Sequence, residues 1–204
     1  TVLYLIRHGE TEHNRRGIIQ GGGVDSPLNE RGRAQADALA ERFRTKTVDA
    51  LYASTLQRAR QTADILAQPH QPLSRTHLRD LNEMDWGIFE GEPPSEERDA
   101  SMGAIKADWR AGGESIQDVQ HRARRALQHV FSREAGRTAA VVTHGRYLRV
   151  LLATLLSDFS LADMNALGHA NTCVNRVVCE QGRAWADPQN CTAHLASVEA
   201  PASK

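Results

Sequence analysis

The chain has little that would staple it, anchor it or steer it from a distance. It has 3 cysteines in 204 residues. Cys173, Cys179 and Cys191 form neither a Cys-x-x-Cys pair nor a regular framework, which excludes a disulfide scaffold and points to free thiols in a reducing compartment. No apolar run approaches the ~20 residues needed to span a bilayer. Residues 1–6 are apolar but too short for the core of an export signal and run straight into charge, so a cytoplasmic chain is expected. Lys plus Arg and Asp plus Glu are 25 each. With zero formal net charge, no long-range field draws the chain to nucleic acid or an anionic membrane. The 9 histidines contain no His-Glu-x-x-His and no zinc-like His/Cys spacing, so no metal is expected. Attraction for an anionic substrate must then come from a local cluster of cations.

Apolar runs and helical stripes alternate along the chain, the pattern of an α/β fold with a largely parallel sheet. Residues 2–6 form a short continuous apolar run, as in a strand covered on both faces. After a polar loop with Gly21-Gly22-Gly23, residues Ala36, Leu39, Ala40 and Phe43 fall at helical spacing. Residues 48–52 read as the next strand, and Ser54 is placed to cap a helix with the stripe Leu56, Ala59, Ala63 and Leu66. Pro69 and Pro72 interrupt the pattern before a short strand over 73–78. The stretch 83–113 is rich in glycine, proline and acids and reads as a loop-plus-short-helix excursion, lid-like over a site. A long helix carrying Ile116, Val119, Ala123, Ala126 and Val130 follows, then a strand over 138–143 and a helix over 148–156. An edge hairpin turns at Gln181-Gly182, and the polar tail from Ser197 is expected to fray. Trp86, Trp109 and Trp185 are expected to pack, with Trp86 close enough to Glu83 to wall a pocket.

Two of these strands end alike. The first runs into Arg7-His8-Gly9 and the strand over 138–143 into His144-Gly145. In open α/β sheets ligands bind beyond the carboxyl ends of the strands, where helix N-termini offer N–H groups to anions. Gly9 and Gly145 would let the backbone approach such a ligand. One such pair is more often structural than functional; two, one preceded by arginine, shift the balance.

Arg7-His8-Gly9-Glu10-Thr11, followed by Asn14, resembles the signature of the histidine phosphatase superfamily in its phosphoglycerate-mutase-like branch. Gln20-Gly21 with Asp25, Pro27, Leu28 and Gly32 is similar to the family's next loop and helix start, and 54–63 (Ser-Thr-Leu-Gln-Arg-Ala-Arg-Gln-Thr-Ala) to the block with a second phosphate arginine, Arg58. Leu81-Asn82-Glu83 with Gly87, Glu90 and Gly91 resembles the acid/base block, and Val142-Thr143-His144-Gly145 the last block. The run Gly21-Gly22-Gly23-Val24 departs from the pattern by looking one residue longer than usual, which predicts a mobile loop.

The resemblance implies one domain over 1–204, with a lid-like insertion at 84–113. Its fold is a three-layer αβα sandwich with a mostly parallel mixed sheet and an antiparallel edge strand. It also implies the chemistry. A phosphate monoester is an anion that repels nucleophiles, so catalysis is mostly positioning and neutralisation. Arg7 and Arg58 would grip its oxygens through planar forks. His144 would add a third donor; Asn14, Gln20, Gly21 and Gly145 would complete the phosphate site, and Ser54 would orient it. His8, neutral at one nitrogen, attacks phosphorus; Glu83 protonates the leaving oxygen and then helps water remove the phosphoryl group. That double duty calls for a carboxylate tuned by burial and anionic neighbours. Glu10 is assigned a structural role and Arg15-Arg16 a solvated one. No cofactor is implied.

The partner is a small phosphorylated metabolite; homodimers are common in the family, which leaves a second copy open. Mutases of the family carry a longer insertion with paired arginines. Here 84–113 is short, contains Glu90, Glu92, Glu96, Glu97 and Asp99, and ends in Gly112-Gly113-Glu114-Ser115, similar to the family's small phosphatases. A phosphatase is therefore favoured over a cofactor-dependent phosphoglycerate mutase. A catalytically silent phospho-ligand or protein-binding module and a metal hydrolase are the readings from other classes.

Overall fold

A computed structural model describes residues 1–96 and 112–199. In chain order its elements are β1 (Val2–Arg7), α1 (Glu12–Arg15), α2 (Glu30–Phe43), β2 (Ala50–Ser54), α3 (Gln57–Leu66), β3 (Arg75–Leu78), α4 (Ile116–Arg133), β4 (Thr138–Thr143), α5 (Gly145–Leu155), β5 (Val174–Glu180), β6 (Arg183–Ala186) and α6 (Ala196–Glu199), with short 3₁₀ turns between them. The strands form one sheet in the order β3-β2-β4-β1-β5-β6. The pairs among β3, β2, β4 and β1 are parallel, whereas β5 runs antiparallel to β1 and β6 antiparallel to β5. The antiparallel feature is thus a whole hairpin, with β6 at the edge.

Strand alternation divides the core. Leu3, Leu5, Ala139 and Val141 face α4 and α5, packing with Val119, Ala123, Tyr147, Leu148 and Leu151. Ile6, Ala140 and Val142 face the other way, onto Leu39 and Phe43 of α2 and Ala59, Ala63 and Leu66 of α3. This burial on both faces is why the strands read as unbroken apolar runs rather than alternating ones. It also builds the three layers.

Helix starts follow the side chains available. Ser115 and Asp118 form a reciprocal capping box at α4, so this helix begins where its apolar stripe does. Ser54 does not cap α3, contrary to expectation: it is the last residue of β2, and the N-cap position falls on Leu56, which has no side-chain cap bond. The tail is ordered one turn further than expected, through α6. Trp185 is 45% exposed on the edge strand rather than packed inside. The middle of the acidic excursion, including Glu97, Asp99 and Trp109, lies outside the described residues. Among the described residues no helix is long and apolar enough to cross a membrane.

The topology fixes where a site can form. From β1 the chain leaves toward the α2/α3 layer, and from β4, its neighbour in the sheet, toward α5 on the opposite face. Connections that diverge from adjacent parallel strands open a crevice at their carboxyl ends. Arg7 and Thr143 are paired at that rim, one residue before His8 and His144.

Candidate active site

A cleft of about 310 Å³ opens at this rim, lined by Arg7, His8, Asn14, Gln20, Gly21, Arg58, Glu83 and Gly145, together with Ile18, Ile19, Trp86, Arg146, Arg149 and His169. Of the residues assigned from sequence, the cleft gathers all but His144 and Ser54. His8 is held from several sides. Its backbone N–H donates to Thr143 O (2.9 Å), and its own carbonyl accepts from Asn171 Nδ2 (3.0 Å). Its Nδ1 lies 2.6 Å from Gly9 O. A carbonyl can only accept, so Nδ1 carries the proton and Nε2 keeps a lone pair. Gly9 is fixed in turn, its N–H donating to Thr62 Oγ1 (3.0 Å). Burial, with Arg58 and Arg7 nearby, holds the His8 ring well below the usual imidazole range.

His144 departs from its expected role. It is fully buried, and both ring nitrogens are engaged with protein. Arg58 Nε donates to Nδ1 (3.2 Å), so the ring proton sits on Nε2 and is donated to Ser54 Oγ (2.8 Å). Ser54 donates onward to Asn82 Oδ1 (2.8 Å), which also accepts the Thr55 N–H and hydroxyl (2.9 Å each). His144 therefore stands behind Arg58 rather than offering a third donor to the cleft. Burial first, then Arg58 and His8, hold it well below the usual imidazole range and keep it neutral.

The arginines are anchored on backbone carbonyls. Arg58, 1% exposed, donates to Val24 O (2.9 Å) and Gly21 O (2.8 Å), and burial pushes its pKa down to about 10. Arg7 Nη1 donates to His169 O (2.6 Å), while its Nε is buried with no partner among the described residues. Arg7 lines the cleft, and a buried guanidinium donor without a partner is the kind of group a bound oxyanion would satisfy. Asn14 Oδ1 accepts from Thr11 N in a capping box, and the residue lines the cleft.

The glycine run is tied down rather than loose. Glu90 Oε1 accepts the N–H groups of Gly22 (2.9 Å) and Trp86 (3.0 Å), and Oε2 that of Gly23 (2.8 Å). These N–H groups are therefore not turned to a phosphate. Gly21 sits at φ +58°, and a Cβ there would meet Glu90 Oε1 at 1.8 Å. Gly9 and Gly145 are likewise required by protein rather than by a ligand: a Cβ would lie 2.5 Å from Gly32 O in the first case and 2.5 Å from the His169 ring in the second.

Glu83 sits at the start of α5, where Oε1 accepts from Tyr147 N and Met84 N (2.9 Å each) and Oε2 from Arg146 N (3.1 Å). The charges that reach it are those of Arg7, Arg58, Arg146 and Arg149, cations rather than the anionic neighbours expected. Its segment is fastened from behind by the nearly buried Arg122, which donates to Asp80 O and Asn82 O and pairs with Glu114 (2.8 Å). Gly-Gly-Glu-Ser is accordingly structural: Gly113 lets the chain pass Asp85 O, Glu114 holds Arg122, and Ser115 caps α4. Glu10 accepts from Asn29 and Arg31, and Arg15 pairs with Glu12 at the surface, as expected for residues outside the chemistry.

Sequence reasoning missed Arg146, Arg149, His169 and Asn171. The first two sit three residues apart early in α5, a spacing that ordinary surface charge on a helix also shows. Nothing in the local sequence marks the other two. Burial, then the fields of Arg7, Arg149 and Arg146, pushes His169 down to about 3, so it stands neutral among them.

Comparison with known proteins places the chain among relatives by sequence and by fold. A family model described as "Histidine phosphatase superfamily (branch 1)" matches residues 3–192. The chain is 31% identical over 207 residues to a metal-independent phosphoserine phosphatase of Arabidopsis thaliana, covering 97% of this chain and 84% of that protein. It is 35% identical over 158 residues to phosphoglycerate mutase-like protein 4 of the same plant, covering 73% of this chain and 68% of that one. Among solved structures, a mycobacterial glucosyl-3-phosphoglycerate phosphatase in complex with VO3 superposes with a TM-score of 0.81 at 29% identity, over 93% of this chain and 98% of that one.

Proposed function

The chain belongs to the histidine phosphatase superfamily, and from that premise we propose that it hydrolyses phosphate monoesters of small metabolites through a phosphohistidine on His8, without a metal. The observation that carries this reading is the hydrogen bond between His8 Nδ1 and Gly9 O, which leaves Nε2 as the free nucleophile in a cleft walled by Arg7, Arg58 and Glu83.

In the first step Nε2 bonds to phosphorus as the P–O ester bond breaks, and Glu83 gives a proton to the departing oxygen. In the second, water bonds to phosphorus, the N–P bond breaks, and Glu83 takes the proton back. Arg7 and Arg58 supply the positive charge that a phosphoryl group needs in the transition state. Two in-line displacements predict net retention at phosphorus.

The mutase reading draws on the names of several relatives and on Arg146 and Arg149, cations of the kind a phosphoglycerate carboxylate needs, supplied here by α5 instead of a long insertion. ³¹P spectra of a reaction with 3-phosphoglycerate separate the two, since hydrolysis yields inorganic phosphate and transfer yields the isomer. The direct test is a panel of phosphoesters turned over in excess chelator, beside His8→Ala. We expect full activity in chelator and a loss of about 10⁴-fold or more in the variant. Substantial turnover by His8→Ala, or loss in chelator restored by a divalent ion, contradicts the proposal.

A further inference from the structure

Beyond the phosphate-gripping pair, the cleft has a second cationic wall. Arg146 and Arg149 are half-buried and line it from α5, one helical turn apart. Among the described residues neither is paired with a carboxylate at ion-pair distance. Each is anchored at one end only: Arg146 Nη1 donates to Asn165 Oδ1 (2.8 Å) and its guanidinium lies over Trp86 (5.2 Å), while Arg149 Nε donates to Leu167 O (2.8 Å). The same short segment, through His169 O, holds Arg7. Alternate residues 165, 167 and 169 thus hold three guanidinium groups around one cleft, which is a built arrangement rather than a chance run of surface charge.

The charge count says what the wall lacks. Among the described residues, four guanidinium groups and one carboxyl group, that of Glu83, line the cleft, a surplus of at least three positive charges. A phosphomonoester brings a charge of about −2. At least one positive charge then remains, in a half-buried setting where an uncompensated charge is costly. The remaining guanidinium N–H groups suit a planar oxyanion. A cleft of about 310 Å³ is at the small end of ligand sites, so phosphate and second anion must lie within a few bonds of each other.

We infer that the substrate is a small phosphoester bearing one carboxylate, and that Arg146 and Arg149 bind that carboxylate while Arg7 and Arg58 hold the phosphate. This rests on the hydrolase reading above and assigns its substrate class.

The test compares kcat/KM for 3-phosphoglycerate and for glycerol 3-phosphate, which differ in carboxylate against hydroxymethyl, with 2,3-bisphosphoglycerate as a doubly phosphorylated third probe. The native chain should favour 3-phosphoglycerate over glycerol 3-phosphate by about 10- to 100-fold, the scale of one or two charge-assisted hydrogen bonds. Arg146→Gln and Arg149→Gln, made singly and together, should shrink that ratio toward one, chiefly through KM; the single variants keep the test alive if the double one misfolds. A ratio near one in the native chain, a preference for the bisphosphate, or variants that lower both esters equally overturns the carboxylate assignment. If glycerol 3-phosphate is still hydrolysed in a His8-dependent way, the hydrolase reading survives that result. If no ester is turned over, both fall.

Discussion

At the scale of single residues, the site works by assigning protons. Gly9 O fixes the tautomer of His8, and Arg58 fixes that of His144 by donating to its Nδ1. The two rings, 5.1 Å apart at their centroids, are thereby given different tasks: one keeps a lone pair for the cleft, the other relays from Arg58 through Ser54 to Asn82. The presence of both histidines was legible in the repeated strand-His-Gly pattern, but the division of labour was not, because it depends on which acceptor each nitrogen meets. The His8 assignment has a direct spectroscopic consequence. In the free protein the ¹⁵N shifts of His8 should be those of a neutral ring protonated on Nδ1, with no protonation near pH 6.5, since burial and two arginines disfavour the charged form. A midpoint at or above about 6.5, or the Nε2-protonated tautomer, would contradict it.

At the scale of elements, the loop around the glycine run is a bracket for Arg58. Glu90 gathers the N–H groups of Gly22, Gly23 and Trp86, and the same loop turns the carbonyls of Gly21 and Val24 onto the guanidinium. Asp25 ties the loop to the start of α3 by accepting from Gln57 N (2.6 Å). Read as composition, three glycines suggest looseness and an acid in an acidic stretch suggests solvation; neither sequence signal shows a carboxylate closing onto backbone donors. Gly21→Ala and Gly136→Ala separate bracket from backbone strain. Both positions have positive φ, but a Cβ at Gly136 meets nothing within 4 Å. Gly136→Ala should cost about 1 kcal/mol of stability with kcat/KM little changed. Gly21→Ala should cost more stability and lower kcat/KM by about 10-fold or more, through displaced Glu90 and Arg58. Equal effects of the two substitutions on kcat/KM would remove the bracket from the account.

At the scale of the whole molecule, the fold was legible where burial is two-sided. The strand Thr138–Thr143 and the stripe from Ile116 to Val130 coincide with observed elements because an apolar run covered on both faces, or a capped amphipathic stripe, leaves few alternatives. The segment 165–169 was not legible, since two of its three anchors are main-chain carbonyls that any sequence provides. Folding around a cationic cleft also sets a dependence on acid. His8, His144, His169 (about 3) and His194 (about 4) are all held below the imidazole range, by burial first. The unfolded chain binds protons at these rings below about pH 6.5 while the folded chain does not, so stability should be level above that pH and fall as pH drops from it. Urea midpoints measured from pH 8 to pH 5 check this; a midpoint that stays level or rises on acidification contradicts it.

The central claim is that His8 carries the phosphoryl group, and trapping it is the most direct test. Rapid acid-free quenching during turnover of a labelled phosphoester, followed by peptide mass analysis, should find one phosphoryl group on His8, labile to acid and absent from His8→Ala. A phosphoryl group on any other residue, or steady turnover with none on His8 at any time point and inversion at phosphorus, would contradict the account.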